Sequence, residues 1–212
     1  WLGGVGGAGD KWQVRAYLWK GVTNTKQIRE RLLAGGFEVA LVHPPMVASL
    51  AVLQAAVTKA LHQQAHGALV SHSVFSEVIY CLHPQGNLRQ AFGNFGMRVA
   101  APPTSSPLLA LLLPSSSTTE AELLAQVAGE AVPLEEMAAM ADREALLELY
   151  GIGAEELAVS DLEGSVLTRV ALQGKMAGGE ESSGSGLTKM KRKNQQGSKA
   201  RPKRPRKEKG QA

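Results

Sequence analysis

Residues Ser76 to Met97, SEVIYCLHPQGNLRQAFGNFGM, hold two helix signals separated by a turn. Val78, Ile79, Cys81 and Leu82 form a short apolar run that Pro84 stops, because proline has no backbone N–H and disfavours helix in the residue before it. Asn87 is placed to cap a second helix, and Leu88, Ala91, Phe92 and Phe95 recur at the spacing of one buried stripe. Gly96 is expected to supply a left-handed exit. On these residues alone the unit is core packing.

Upstream, Trp12, Val14, Ala16 and Leu18 alternate with Gln13, Arg15, Tyr17 and Trp19, the period of a half-buried strand. Asn24 with Gln27 predicts a capping box for a helix carrying Ile28, Leu32 and Leu33, ended by Gly35 and Gly36. Phe37 to Val42 reads as a second strand stopped by His43-Pro44-Pro45. A long helix from Ser49 to His66 carries Leu50, Leu53, Val57, Ala60 and Leu61 on one face, and Gly67 stops it.

Downstream, Pro107 to Leu113 is a continuous apolar run of the length of a fully buried strand. From Thr118 the chain is expected to be helical. Capping boxes are read at Thr119 with Glu122 and at Ser160 with Glu163, a cap at Asp142, and breaks at Gly151 and Gly153. The last helix, Asp161 to about Leu172, sets Leu162, Val166, Leu167 and Val170 on one stripe. These elements predict one α+β domain over residues 11–173, a small mixed or antiparallel sheet covered by helices. A glycine-rich lead-in over residues 1–10 precedes it, and a basic tail over residues 174–212, too poor in apolar side chains to offset chain entropy, is expected to be disordered.

The formal charge of +4 conceals a division. From Thr188 onward, eleven Lys and Arg side chains face only Glu208, a net +10, which leaves −6 for the rest. Most of the acidic excess falls between Ser117 and Ser165, where Arg143 is the only base; such a face is either solvated or turned to a basic partner. In the tail, Lys189, Lys191, Arg192 and Lys193 form one basic cluster, and Arg201, Lys203, Arg204, Arg206 and Lys207 form a second. Two clusters across a polar spacer have the form of a bipartite nuclear-import signal or a phosphate-contacting arm; a solvated tail is the plain alternative. Cys81 has no second cysteine to pair with, which fits a reducing compartment, and its apolar surroundings fit a buried, inert thiol. No signal peptide is visible, and no apolar run approaches the ~20 residues that span a bilayer.

Catalytic and cofactor signals fail on context. Gly4 to Gly9 matches GxGxxG, yet a dinucleotide loop needs a strand before it and a helix after it, whereas here two residues precede it and a strand is expected to follow. His62 and His66 have the spacing of two metal ligands on a helix, but Gln63 stands where a metalloprotease has Glu and no third ligand is near, so no metal is predicted. Glu77 sits in the first turn of its helix, where the helix dipole accounts for it, without a second carboxylate or nucleophile at a telling spacing. No cofactor is predicted, and the chain reads as a non-enzyme; a pocket around Glu77 is the feature that would reopen catalysis.

Ser76-Glu77, Leu82-x-Pro84, Asn87-Leu88-x-x-Ala91-Phe92 and Phe95-Gly96-Met97 together resemble the kinase-binding subunit family of the EKC/KEOPS complex, the PRPK-binding proteins. Lys59-Ala60-x-His62 and Arg169 extend the resemblance over roughly Trp12 to Leu172. The resemblance implies a non-catalytic accessory subunit that docks a small atypical kinase of the PRPK type and supports N6-threonylcarbamoyladenosine modification of tRNA, in the nucleus and cytosol. The kinase contact is expected on Leu162, Val166 and Val170, which fit a core stripe equally well, and tRNA contacts on Lys59, His62, Asn87 and Arg89. Relatives of this type usually show Asn-Pro where this chain has His43-Pro44, and several basic residues where it has Ala68 to His72. A nuclear nucleic-acid-binding protein acting through the basic tail is the alternative reading.

Overall fold

The computed structural model describes residues 13–99 and 104–173; the glycine-rich lead-in with its GxGxxG match, Trp12 and the whole basic tail lie outside the described residues. Among those described, the strands β1 (Arg15–Val22), β2 (Ala40–Val42), β3 (Ser106–Leu112) and β4 (Glu130–Val132) make one antiparallel sheet in the order β2-β3-β1-β4. The apolar run that ends at Leu113 becomes a central strand. Leu109 and Leu111 face one core, and Leu108, Ala110 and Leu112 the other, so a period of two produces an unbroken apolar sequence when both faces are covered. Each buried leucine contributes roughly 1.5–3 kcal/mol of transfer free energy.

Helices cover both faces. On one side α2 (Leu50–Ala65) packs against α3 (Val74–Leu82) and α9 (Leu162–Leu172), with α4 (Leu88–Phe95), α6 (Met137–Met140) and α7 (Arg143–Tyr150) completing the layer. On the other, α1 (Thr25–Leu33) and α5 (Glu120–Gln126) bring Ile28 and Leu123 onto Trp19, Val22 and Leu108. The short helix α8 (Ala154–Leu157) joins α7 to α9.

This second layer corrects the reading of β1 as half-buried. Trp19, expected to face out, is 2% exposed beneath α1 and α5. The strand is also shifted toward Val22, with its register broken between Trp19 and Val22 at Gly21, whose φ of 62° is the left-handed value glycine tolerates. β2 is shorter than Phe37 to Val42. Glu38, just before it, is held by side chains instead: its N–H donates to Thr118 Oγ1 at 2.8 Å, and Ser116 Oγ donates to its carbonyl.

Capping was legible at most helix ends and misread at two. Asn87, Asp142 and the Thr119–Glu122 box cap as their sequence predicts, and Ser49, read as the start of the long helix, caps α2 by accepting from Val52 N. Asn24 does not cap α1 with its side chain; its amide bridges Gln126 O and Ala128 N, tying α1 to the chain leading into β4. Asp161, not Ser160, caps α9 by accepting from Gly164 N at 2.7 Å. The stretch after Thr118 is not wholly helical either, because Glu130–Val132 pairs with Leu18 to Lys20.

Three buried carbonyls at the end of α3 are satisfied by side chains far along the chain. Tyr150 Oη donates to Leu82 O at 2.6 Å, and Gln173 Nε2 donates to Tyr80 O at 2.7 Å and His83 O at 2.8 Å. Tyr150→Phe leaves the Leu82 carbonyl without this donor and is expected to cost about 1–3 kcal/mol, read as a lower urea midpoint at unchanged slope.

Candidate partner-binding site

The α3–α4 unit positions the residues singled out in the sequence. Ser73 caps α3 by accepting from Ser76 N, and Pro84 sets its end, with His83 in the extended conformation that a following proline imposes. Gly86 then turns the chain at φ 62°, and a Cβ there would lie 2.8 Å from Tyr80 Oη, so the position needs glycine for both conformation and space. Gly96 departs from expectation: its φ of −68° is not left-handed. Glycine fits there because a Cβ would meet Phe92 O at 2.6 Å, and because the chain pairs at once with β2 through the Val42–Gly96 bridge and Met97 N donating to Leu41 O. Of the predicted stripe, Ala91 and Phe95 are fully buried, whereas Phe92 is 44% exposed.

Glu77 lies in the first turn of α3, as read from the sequence, but it is wholly buried and its partners extend beyond the helix. Its Oε2 accepts from Val70 N at 3.1 Å, Ser71 N at 2.7 Å and Ser71 Oγ at 2.6 Å. The carboxylate thus holds the 70–71 backbone in place and fixes the loop on which Val70 and His72 stand exposed. The sequence signal was present, since Glu77 follows Ser71 by six residues across a cap, but the partners are backbone donors that no side-chain pattern reveals.

The four residues expected to meet RNA separate. Asn87 and Arg89 are exposed at the start of α4, and His62 is exposed near the end of α2, its ring tilted against His66 at 4.1 Å between centroids. Lys59 is turned inward. Its Nζ donates to Val170 O at 3.1 Å, Gln173 O at 2.9 Å and Gln173 Oε1 at 3.0 Å, capping the C-terminal end of α9. A cation bonded to carbonyls in this way is a structural cap, which corrects its assignment to phosphate contact.

The three residues expected to meet a kinase separate as well. Val166 and Val170 are fully buried against the rest of the core, so they present no surface in this chain, while Leu162 is partly exposed. Beside Leu162 stands Val159 at 88% exposure, and the two line a shallow hollow with Leu157, Ala158 and Arg143. Val159 was missed because it lies in the connection between two helices and belongs to no periodic stripe. Arg169 clamps this corner: its two terminal nitrogens donate to Glu156 Oε1 at 2.6 Å and Oε2 at 2.7 Å, and a third bond reaches Ser165 O.

The chemistry of the remaining groups is quiet. Burial pushes the Cys81 thiol up to about 12, and Sγ donates to Gln63 Oε1. Burial also raises Tyr150 and lowers His43 to about 4, with the nearby Arg98 adding to the latter. No described group of three or more His, Cys, Asp or Glu is placed to hold a metal ion, and no described helix is long and apolar enough to cross a membrane.

With this geometry in view, residues 19–174 match the family model described as kinase binding protein CGI-121. The chain belongs to the CGI-121 family. Members similar to it include the zebrafish (Danio rerio) EKC/KEOPS complex subunit TPRKB, 25% identical over 163 residues that cover 77% of this chain and 92% of the relative. The cgi121 subunit of Aspergillus terreus is 27% identical over 180 residues, covering 76% and 91%. That of Aspergillus fumigatus is 33% identical over 86 residues, covering 40% and 46%. The CGI-121 match spans the sheet from Trp19 onward and every helix described, α9 included.

The Glu156–Arg169 clamp has a pH signature. Hydrogen bonding to Arg169, then to Ser165, lowers Glu156 from 4.5 to about 2. Its folded value lies below its unfolded one, so the stability it confers is present above pH ~4.5 and is lost as pH falls toward 2. Arg169→Met is expected to flatten that part of the profile of Tm against pH while leaving the rest parallel to wild type, measured by calorimetry at 0.5-unit steps.

Proposed function

We propose that this protein is a non-catalytic accessory subunit of an EKC/KEOPS-type complex, binding the complex's small atypical kinase and supporting N6-threonylcarbamoyladenosine modification of tRNA. The observation that carries the reading is the family match across the folded domain, joined by relatives whose names make them subunits of that complex. The kinase contact falls on the α8–α9 corner, with Leu162 and Val159 as its apolar centre; Val166 and Val170 act behind it by anchoring α9 to the core. Interfaces draw most of their energy from a few apolar anchors near their centre, and this corner offers an exposed one, Val159, beside the partly exposed Leu162, rimmed by Asp161 and Glu163.

For tRNA, the exposed His62, Asn87 and Arg89 are the contacts that remain once Lys59 is assigned to α9, and the basic tail supplies non-specific attraction to phosphate. The tail also supports residence in the nucleus as well as the cytosol. A nuclear nucleic-acid-binding protein acting through the tail alone is the second reading, favoured by the net +10 beyond Thr188.

Titration calorimetry of the full chain against the small kinase tests the first reading and is expected to show saturable binding; none, with the protein folded, rejects it. Val159→Glu is expected to weaken that binding about tenfold or more at unchanged Tm, whereas Val166→Glu is expected to unfold the domain. A full chain in which the nine tail residues of the two basic clusters are glutamine is expected to lose tRNA affinity at low salt and to show a shallower salt dependence. Kinase affinity equal to wild type in that variant separates the two readings.

A further inference from the structure

A groove of about 650 Å3 opens between α1, the start of β2 and the α3–α4 unit. Its floor is mainly aliphatic, with Leu32, Leu41, Ile79 and Met97, and its lip carries Leu33 at 75% exposure and Phe92 at 44%. Side chains of this size left facing water on both sides of one concavity mark an interaction site. The groove shares no lining residue with the α8–α9 corner assigned above to the kinase.

Charge identifies the kind of occupant. Arg29 lines the groove, Lys26 and Glu30 are exposed on the same helix while Arg31 lies toward Glu122 of α5, and Arg98 follows Met97 directly. α4 brings Arg89 and no acidic residue. One acidic side chain, Glu38, also lines the groove; its Oε2 accepts from Ser117 N at 2.9 Å, which keeps it ionised but draws it toward the 116–118 turn. The second half of the domain has the opposite character, with Arg143 and Arg169 the only bases between residues 104 and 173. An apolar cleft with a cationic rim is complementary to apolar side chains flanked by carboxylates.

Backbone geometry narrows the choice. An added strand would need the outer edge of β2, yet Met97 N already donates to Leu41 O and His43 N to Phe95 O, so the edge is closed over Leu41 to His43. Recognition there must come from side chains entering the cleft. Nucleotide bases stack on open aromatic faces, and of the three phenylalanines that line the groove Phe37 is buried and Phe75 half-buried, which leaves Phe92 on the lip as the one exposed ring among aliphatic and thioether side chains that receive leucine and phenylalanine well. We propose that the α1–α4 groove docks an acidic amphipathic helix of a partner protein, its apolar face on Leu33 and Phe92 and its carboxylates on Arg29 and Arg98. This surface is additional to the kinase contact and does not depend on it.

The test is methyl NMR of the full chain, labelled at Leu, Ile, Val and Met, titrated with two synthetic helices that share a leucine face and differ in a glutamate or a lysine polar face. The glutamate peptide is expected to shift Leu32, Leu33, Ile79 and Met97 saturably. Leu33→Asp, at a side chain exposed enough to leave the fold intact, is expected to weaken that binding about tenfold. The lysine peptide is expected to leave these signals in place. The proposal is overturned if the glutamate peptide binds without moving these methyls, which would assign its binding to the basic tail, or if both peptides move them equally. It is overturned equally if an oligoribonucleotide moves them in preference to the peptide, or if Leu33→Asp converts a self-associating chain to monomer, which would give the groove to a second copy.

Discussion

The C-terminal end of α3 is the joint on which the domain closes. A helix leaves its last carbonyls without intrahelical partners, and burying them unpaired costs about 1–3 kcal/mol each. Here Tyr80, Leu82 and His83 are met by Tyr150 and Gln173, residues 68 to 93 positions away in sequence. Gln173 is held in turn by Lys59 from α2, which bonds both its carbonyl and its side-chain oxygen. Four helices distant along the chain, α2, α3, α7 and α9, thus share one polar cluster within an apolar layer; Tyr80 O and His83 O also accept from backbone N–H groups, so it is Leu82 O that depends on its long-range donor, Tyr150. The Leu82-x-Pro84 turn is the element that presents these carbonyls, which gives a physical reason for so local a pattern to accompany the whole fold.

The sheet imposes a second constraint. Because β3 buries side chains on both faces, it needs two helical layers, and the chain supplies them unequally: α1 and α5 on one side, a thicker assembly around α2 on the other. The thin layer leaves its edges open. Leu33 at the end of α1 reaches past the sheet, and the Gly96 crossing brings Phe92 and Met97 beside it, so the groove is a consequence of covering a wide face with a nine-residue helix.

How much of this was legible follows from the range of each signal. Caps at Ser49, Asn87 and Asp142 could be read because donor and acceptor lie within three residues. The double face of β3 could be read from its unbroken apolar run. Trp19 could not, since alternation in β1 says which side chains share a face but not whether a second layer covers the other. Asn24 resembles a cap in every local respect and is drawn away by Gln126 and Ala128, about a hundred residues on. Lys59 and Glu77 share one limit: the sequence places each on its helix, Glu77 in the first turn of α3, but both are bonded mainly to backbone groups of segments that folding brings close, and those partners leave no local pattern. Val166 and Val170 show the converse, a stripe whose period cannot distinguish a core from an interface.

The same separation of interior from surface bears on what the molecule can do. Groups that in other settings become nucleophiles or bases are here driven toward their neutral forms by burial, Cys81 up to about 12 and His43 down to about 4, and Tyr150 is occupied by a carbonyl. Much of the polar chemistry inside the domain holds helices together, through Lys59, Tyr150 and Gln173. Among the described residues, the surface carries an acidic corner with Val159 and Leu162, a basic lip with Leu33 and Phe92, and the exposed His62, Asn87 and Arg89. A domain whose interior ties its elements together and whose surfaces differ in charge from one half to the other can discriminate between molecules only at those surfaces, because the core of the described residues offers neither an open site nor a reactive group.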